Sequence, residues 1–316
     1  MKICILGAGA LGCAIGGTLT EAGHEVWLVN RDAQHVEVMN RVGLTMRTNG
    51  VDRIVKVQAA THAKGVDLSS GPVELAIVLV KSFHTREVIE SASKIIGEHT
   101  IVLSLQNGVG HEDVLASVVG KARVLAGKTY TGGVLLAPGH IIAGTAGKET
   151  IIGELTGQAS ARTARIAEVF SQAGLATTVS NNIMATIWEK LFVNVATGAL
   201  SGITRLPYGH LYQVPEVEAC AMAAVMEAMA VAKAAGIAVA TTDPRAPWLK
   251  AAIGLPFEFK ASMLQSLEAG SATEIDFVNG AVVEQGRKYG VPTPVNLTLV
   301  ACMKGVERGL PGQMTK

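Results

Sequence analysis

The chain has 316 residues, 49% of them hydrophobic and 17% charged, with a formal net charge of +1. That length allows two domains of ordinary size, and that composition points to a compact globular protein with a large core, excluding a disordered or fibrous chain. A charge so near zero leaves no electrostatic footprint for nucleic acid or an anionic membrane.

The opening "MKICILGAGALG" runs into a glycine-rich turn where a signal peptide would have its cleavage site, so no signal peptide is expected. "KICILG" is a short apolar run suited to a buried parallel strand. "ALGCAIGGTLTEAG" reads as a helix stopped by Gly23, and "HEVWLVN" as the next strand. Where the first strand meets the helix stands Gly7-Ala8-Gly9-Ala10-Leu11-Gly12, a full G-x-G-x-x-G. Gly7 permits the tight turn, Gly9 lets a pyrophosphate approach the helix N-terminus, and Gly12 allows close helix–strand packing. The hexapeptide alone is weak and also fits a merely structural turn. Here it follows a strand, opens a helix, and a second strand ends about twenty residues later, the context of a dinucleotide site.

The end of that second strand selects the cofactor. An acidic residue there would hold the ribose 2′-OH of NAD, but the sequence has Asn30-Arg31. An arginine can hold a 2′-phosphate through charge-assisted hydrogen bonds, so NADP(H) is expected, a solvated surface Arg31 being the alternative. Asp32 reads as the N-cap of the following helix.

"LTMRTNGVDRIVKVQA" interrupts the alternation, and Asn49-Gly50 predicts an inserted hairpin. Further strands are "VELAIVLV" and "TIVLSLQN", and helical patterns are "SFHTREVIESASKIIG" and "HEDVLASVVG". This alternation predicts a doubly wound parallel sheet. Lys81 and Gln106-Asn107-Gly108 end strands on the carboxyl edge, where ligands of open α/β sheets bind. Lys81 is either a second positive group near the nucleotide or solvated. Asn107 either approaches the nicotinamide end or substrate, or belongs to a turn.

"TYTGGVLLAPGHIIAGTAGKETIIGEL" predicts antiparallel strands with a Pro138-Gly139 turn, followed by the helix "ARTARIAEVFSQAG" and the strand "LATTVS". Beyond about residue 180 the pattern is helical. The expected organisation is α/β, with a Rossmann-type NADP-binding domain at 1–180, an all-helical substrate domain at 181–316, and a ligand cleft of the kind two such domains leave. The run "ACAMAAVMEAMAVAKAAGIAVA" is broken by Glu227 and Lys233 and reads as a buried helix ending near Gly236, short of a membrane span. Cys4, Cys13, Cys220 and Cys302 lack metal spacing and read as small core residues in a reducing compartment, so a cytoplasmic protein without a metal is expected.

"WEKLFVNVATGALSGI" is a greasy helix with an odd stripe: Lys190 and Asn194 lie one above the other, and Thr197 and Ser201 continue the line. The stripe faces either water or a substrate. A lysine ammonium beside an amide can give a proton and positive charge to a developing alkoxide, while helix pattern alone favours a snorkelling lysine. No histidine falls on the stripe. Glu274 and Asp276 precede another apolar helix and also fit simple helix-start charges.

Taken together, the glycine motif with Asn30-Arg31, "QNG" at 106–108, W-E-K-L-x-x-N at 188–194 and S-M-L-Q…A-T-E-I-D-F-x-N-G at 262–280 resemble the ketopantoate reductase (2-dehydropantoate 2-reductase) family over almost the whole chain. The last block is the most specific. The resemblance implies NADPH-dependent reduction of ketopantoate to pantoate, towards pantothenate and coenzyme A. It implies Lys190 as general acid at the keto oxygen, with Asn107 and Asn194 holding the substrate near the nicotinamide. Ser262 and Glu274 would bind the substrate's carboxylate and hydroxyl end, and Arg31 and Lys81 the 2′-phosphate. It also implies a homodimer, which nothing in the sequence itself shows.

One departure stands out. Many members carry a second asparagine four residues after the first, and here that position is Gly198. Thr197, next to it, either compensates or faces elsewhere. Two alternatives follow: a related reductase of another small branched 2-oxo acid, and a non-catalytic NADP(H) sensor.

Overall fold

The computed structural model describes residues 1–310. They form two compact units, one of Met1–Gln106 with His111–Ile183, the other of residue 184 onward with Asn107–Gly110. In chain order the first unit contains β1 (Lys2–Leu6), α1 (Ala10–Glu21), β2 (Glu25–Val29), α2 (Ala33–Arg41), β3 (Leu44–Thr48), β4 (Val51–Val55), β5 (Gln58–Ala60) and β6 (Leu75–Val78). It continues with α3 (Thr85–Ser91), β7 (Ile101–Ser104), α4 (His111–Val119), β8 (Val124–Thr129), β9 (Gly132–Ala137), β10 (His140–Gly144), β11 (Thr150–Glu154), α5 (Ala161–Gln172) and β12 (Thr177–Val179).

Eight strands form the main sheet in the order β12-β11-β8-β7-β6-β1-β2-β5. β5, β2, β1, β6, β7 and β8 pair in parallel; β11 runs antiparallel to β8 and carries β12 parallel to itself. The chain moves from β1 outward to β2 and β5, then returns to lay β6 on β1's other side. The strand order therefore reverses at β1, immediately below the glycine turn, which is where ligands of doubly wound sheets sit. Alternate residues of β1 enter opposite cores: Ile3 and Ile5 one, Cys4 and Leu6 the other. Burial on both faces is why this strand reads as an unbroken apolar run. Each such side chain contributes roughly 1.5–3 kcal/mol.

The Asn49-Gly50 hairpin is present as β3–β4, with φ of 53° and 81° at the two turn residues. It does not stand alone: β10 pairs in parallel with β3 and antiparallel with β9, giving a second sheet ordered β4-β3-β10-β9. This sheet packs on α1, whose Gly17 has no room for a Cβ beside Met46 of β3. The helix expected after Lys81 is shorter than its pattern. Residues Ser82–His84 form a 3-10 turn, α3 follows, and near its end the Ser91 hydroxyl bonds the Val88 carbonyl, a local bond that competes with helix continuation.

The second unit is helical among its described residues: α6 (Ile183–Thr204, its first residue in the other unit), α7 (Tyr208–Leu211), α8 (Pro215–Ala234), α9 (Arg245–Ala252), α10 (Ser262–Glu268), α11 (Asn279–Tyr289) and α12 (Pro294–Arg308). Glu227, which interrupts the apolar run of α8, accepts from the Val295 and Asn296 backbone N–H groups at 2.8 and 2.9 Å and so caps α12. No helix of the described residues is long and apolar enough to cross a membrane. Cys4 and Cys13 are core residues as expected, but Cys220 is only half-buried and Cys302 exposed, because they lie on outward sides of α8 and α12.

Candidate functional site

In the first unit, geometry demands glycine at two of the three motif positions, Gly7 and Gly12, and leaves the space beside Gly9 open. Gly7 has φ +107°, and a Cβ there would lie 2.5 Å from Val80 N and 2.6 Å from the Leu79 carbonyl carbon. A Cβ on Gly12 would run into the Gly7 carbonyl, whereas nothing lies within 4 Å of where a Gly9 Cβ would stand. Gly9 is the N-cap of α1, whose first turn begins Ala10-Leu11 and has no acidic residue. Unpaired N–H groups and the positive dipole end make such a turn a cradle for an anionic group.

The loop is tied down from behind. The Ala8 carbonyl accepts from Asn30 Nδ2 at 2.7 Å and from the Cys13 thiol at 3.2 Å, and Asn30 Oδ1 accepts from Asp32 N at 2.9 Å. Asp32 caps α2, accepting from Gln34 N and His35 N. Buried His35 accepts the Gly139 N–H on Nδ1 at 2.9 Å, so its proton sits on Nε2, and burial pushes its pKa down against the opposing Ala8 carbonyl bond. Burial likewise raises the Cys13 thiol to about 12, which keeps it neutral.

Arg31 is exposed just past β2, and its Nη2 donates to His84 Nε2 at 3.0 Å. A guanidinium only donates, so the His84 proton lies on Nδ1, which faces Glu87 Oε2 at 3.2 Å. Lys81 is the exposed N-cap of the 3-10 turn that ends at His84. Arg31, Lys81 and His84 thus gather at the carboxyl ends of β2 and β6, a setting that can receive a dianion. Sequence reasoning missed His84. Its one signal was the three-residue spacing from Lys81, a single 3-10 turn.

In the second unit, Lys190 and Asn194 are half-buried neighbours on α6. Glu189 beside them accepts from Ala240 N at 2.7 Å and Thr241 N at 2.8 Å, and so fixes the chain after α8. The stripe ends there, which corrects the expectation of a stripe facing water or substrate along its whole length. Thr197 is 2% exposed, donates to the Val193 carbonyl at 3.0 Å and accepts from the Tyr208 hydroxyl at 3.0 Å. Ser201 is fully buried and donates to the Leu206 carbonyl at 2.7 Å. Both hydroxyls satisfy interior partners, and Thr197 does not stand in for an amide at 198. Gly198 is buried, and a Cβ on it would lie 3.2 Å from Met263 Cε and 3.4 Å from its Sδ. Met263 follows exposed Ser262 at the start of α10, so that end of α10 lies against α6.

Asn107 is exposed and Gly108 has φ +98°. A Cβ on Gly108 would strike the Phe277 carbonyl, which accepts Val109 N at 3.3 Å, and Phe277 N bonds the Glu274 carbonyl at 3.0 Å. Asn107 and Glu274 therefore belong to one local structure. Around half-buried Glu274, Thr273 bonds Glu307 Oε1 through N (2.7 Å) and Oγ1 (2.6 Å), and Asp276 pairs with Lys304 at 2.5 Å. Asp276 is thus an ion-pair partner in a 3-10 turn ahead of α11. Buried Asn279 donates to Asn296 Oδ1 at 2.9 Å. Much of the most specific sequence block is scaffold, with Glu274 as its half-buried carboxylate. Among the described residues no cluster of His, Cys, Asp and Glu could hold a metal ion.

A reversing parallel sheet with this glycine turn at its switch point defines the class of dinucleotide-binding α/β proteins. The family model "Ketopantoate reductase PanE/ApbA" matches residues 3–157, and "Ketopantoate reductase PanE/ApbA C terminal" matches 182–307. A 2-dehydropantoate 2-reductase of Pyrococcus abyssi is 35% identical, with 97% of this chain and 98% of that protein covered. The crystal structure of a PanE/ApbA family ketopantoate reductase from Ralstonia eutropha superimposes with a TM-score of 0.87 at 35% identity, covering 97% of this chain and 98% of that one. A ternary structure of D-mandelate dehydrogenase with NADH and anilino(oxo)acetate gives 0.89 at 28% identity, covering 98% and 99%. The chain belongs to the ketopantoate reductase family.

Proposed function

We propose that this protein is an NADPH-dependent reductase that converts ketopantoate to pantoate, a step towards pantothenate and coenzyme A. The observation that carries the reading is Lys190 with Asn194 one turn further along α6, in a chain of this family. The open cradle at Gly9 fits a dinucleotide: Gly7, Gly9, Ala10, Leu11 and Gly12 would hold its pyrophosphate, Arg31 and Lys81 its 2′-phosphate, and Asn107 its nicotinamide end. Bound NADPH supplies the hydride for the keto carbon.

The side chains of the second unit do the rest. The Lys190 ammonium donates a hydrogen bond to the keto oxygen and yields its proton as negative charge develops there. That bond is stronger to an alkoxide than to a ketone, so it lowers the barrier more than it tightens binding. Asn194 and Asn107 orient the keto acid. Ser262 donates to the carboxylate, and Glu274 accepts from the substrate hydroxyl. In this proposal residues 1–180 serve the nucleotide and 181–316 the substrate, the protein works in the cytoplasm, and it acts as a homodimer.

Gly198 and the likeness to a D-mandelate dehydrogenase holding NADH favour a second reading, reduction of another 2-oxo acid. A non-catalytic sensor would need the nucleotide residues but not Lys190. Following NADPH absorbance with ketopantoate tests the proposal: steady oxidation with formation of equimolar pantoate is expected. Tight NADPH binding without turnover of any 2-oxo acid would replace it with the sensor.

A further inference from the structure

The chain leaves the first unit after Gln106, spends Asn107–Gly110 in the second, and returns at His111. Both flanking residues are fastened to one short loop, residues 80–85, which follows β6 and carries Lys81. Gln106 Nε2 donates to the Val80 carbonyl at 2.9 Å and to Thr85 Oγ1 at 2.8 Å. His111 Nε2 bonds Ser82 Oγ at 2.8 Å, and Thr85 Oγ1 donates to the Ser82 carbonyl at 2.7 Å, closing the loop on itself. His111 is fully buried, Ser82 2% exposed and Thr85 1% exposed.

Water does not compete for such bonds, and in a low-dielectric interior they hold their geometry tightly. Burying an imidazole and a hydroxyl is also a poor way to stabilise a core. Apolar groups of the same shape would serve stability as well, since only an unmatched partner carries the full penalty. What the bond adds is position. Gln106 and His111 bracket Asn107, so fixing both to the 80–85 loop fixes where that segment starts and ends.

We infer that Ser82 and His111 form a positioning pair for Asn107: with Gln106 they anchor the two ends of the short segment that carries it, and so fix the backbone from which its amide is presented to substrate. This rests on the reductase reading above. Neither residue touches substrate; they act through the backbone at 106–111. A displacement of about 1 Å at a substrate-orienting group can cost up to 100-fold in rate.

The test uses the full-length protein and the variants Ser82→Ala, His111→Leu, His111→Gln and the Ser82→Ala/His111→Leu double. NADPH binding is read by fluorescence, turnover by absorbance and folding by thermal unfolding. Each single variant that breaks the bond should lower kcat roughly tenfold while NADPH affinity changes less than about threefold. The double should lose less than the product of the two single losses, because both remove the bond they share, and His111→Gln should regain most of the rate. Unchanged kcat in folded Ser82→Ala, multiplying losses in the double, or a loss of NADPH affinity as large as the loss of kcat would overturn the inference. If His111→Leu does not fold, Ser82→Ala, which removes a single hydroxyl, decides. The wild-type control reports on the underlying reading. If it prefers another 2-oxo acid, the variants are assayed with that acid; if it reduces none, the reading fails and this inference with it.

Discussion

Gly198→Asn restores the amide that many family members carry, and the structure sets its cost. A Cβ at 198 would lie 3.2 Å from Met263 Cε and 3.4 Å from Sδ, closer than ordinary van der Waals contact. The obstacle is the far end of an unbranched thioether, which adapts more readily than a branched side chain or backbone. Overpacking a core usually costs about 1–3 kcal/mol, and a yielding neighbour places this case at the low end. Exchanging glycine for asparagine inside a helix returns about 0.3 kcal/mol. The net expectation is a loss of roughly 1 kcal/mol, a fall in Tm of about 1–2 °C. A new amide hydrogen bond to the substrate is worth about 1–1.5 kcal/mol, so kcat/KM for ketopantoate relative to phenylglyoxylate should rise roughly tenfold. Thermal unfolding and the two kcat/KM values check this. Unfolded protein would show that the space at Met263 is rigid; an unchanged ratio in a folded variant would show that position 198 does not read the substrate.

Other predictions follow the same site. Lys190→Ala should lower kcat by roughly 10²–10⁴ while NADPH affinity measured by fluorescence stays close to wild type; intact kcat removes Lys190 from the mechanism. Arg31→Ala should raise KM for NADPH roughly 10–100-fold and leave KM for NADH nearly unchanged, because only NADPH carries the 2′-phosphate; equal effects would show that Arg31 does not read it. His35 contributes to pH-dependent stability: burial holds its folded-state pKa below the ordinary 6.5, so its contribution is complete above that value and is lost as pH falls through the lowered folded value. Urea unfolding between pH 7.5 and 5 should lose stability in wild type and lose less in His35→Gln, with His24, shifted the same way, supplying a residual slope. Identical slopes would contradict the lowered pKa that burial gives His35.

The parts of the fold legible in the sequence are those that a single residue's backbone dictates. Gly7, with no room for a Cβ and a positive φ, and the Asn49-Gly50 turn are geometric demands that few residue types meet. The β1 run was legible because both its faces are buried. The second sheet was not, because its central pair joins β3 to β10 in parallel across a long stretch of intervening chain, and alternation says nothing about partners. The polar stripe of α6 was visible but not its division: Thr197 and Ser201 are indistinguishable by pattern from substrate-facing residues, and only their carbonyl partners, Val193 and Leu206, reveal their interior roles. His84 escaped notice because its relation to Arg31 arises from neighbouring strand ends, 53 residues apart in sequence.

The central claim, reduction of ketopantoate with NADPH, is tested most directly by kcat/KM for a panel of 2-oxo acids, each measured with NADPH and with NADH. The account predicts that ketopantoate with NADPH exceeds every other combination by at least about tenfold. A larger kcat/KM for an aromatic or differently branched 2-oxo acid, or for NADH, would contradict it.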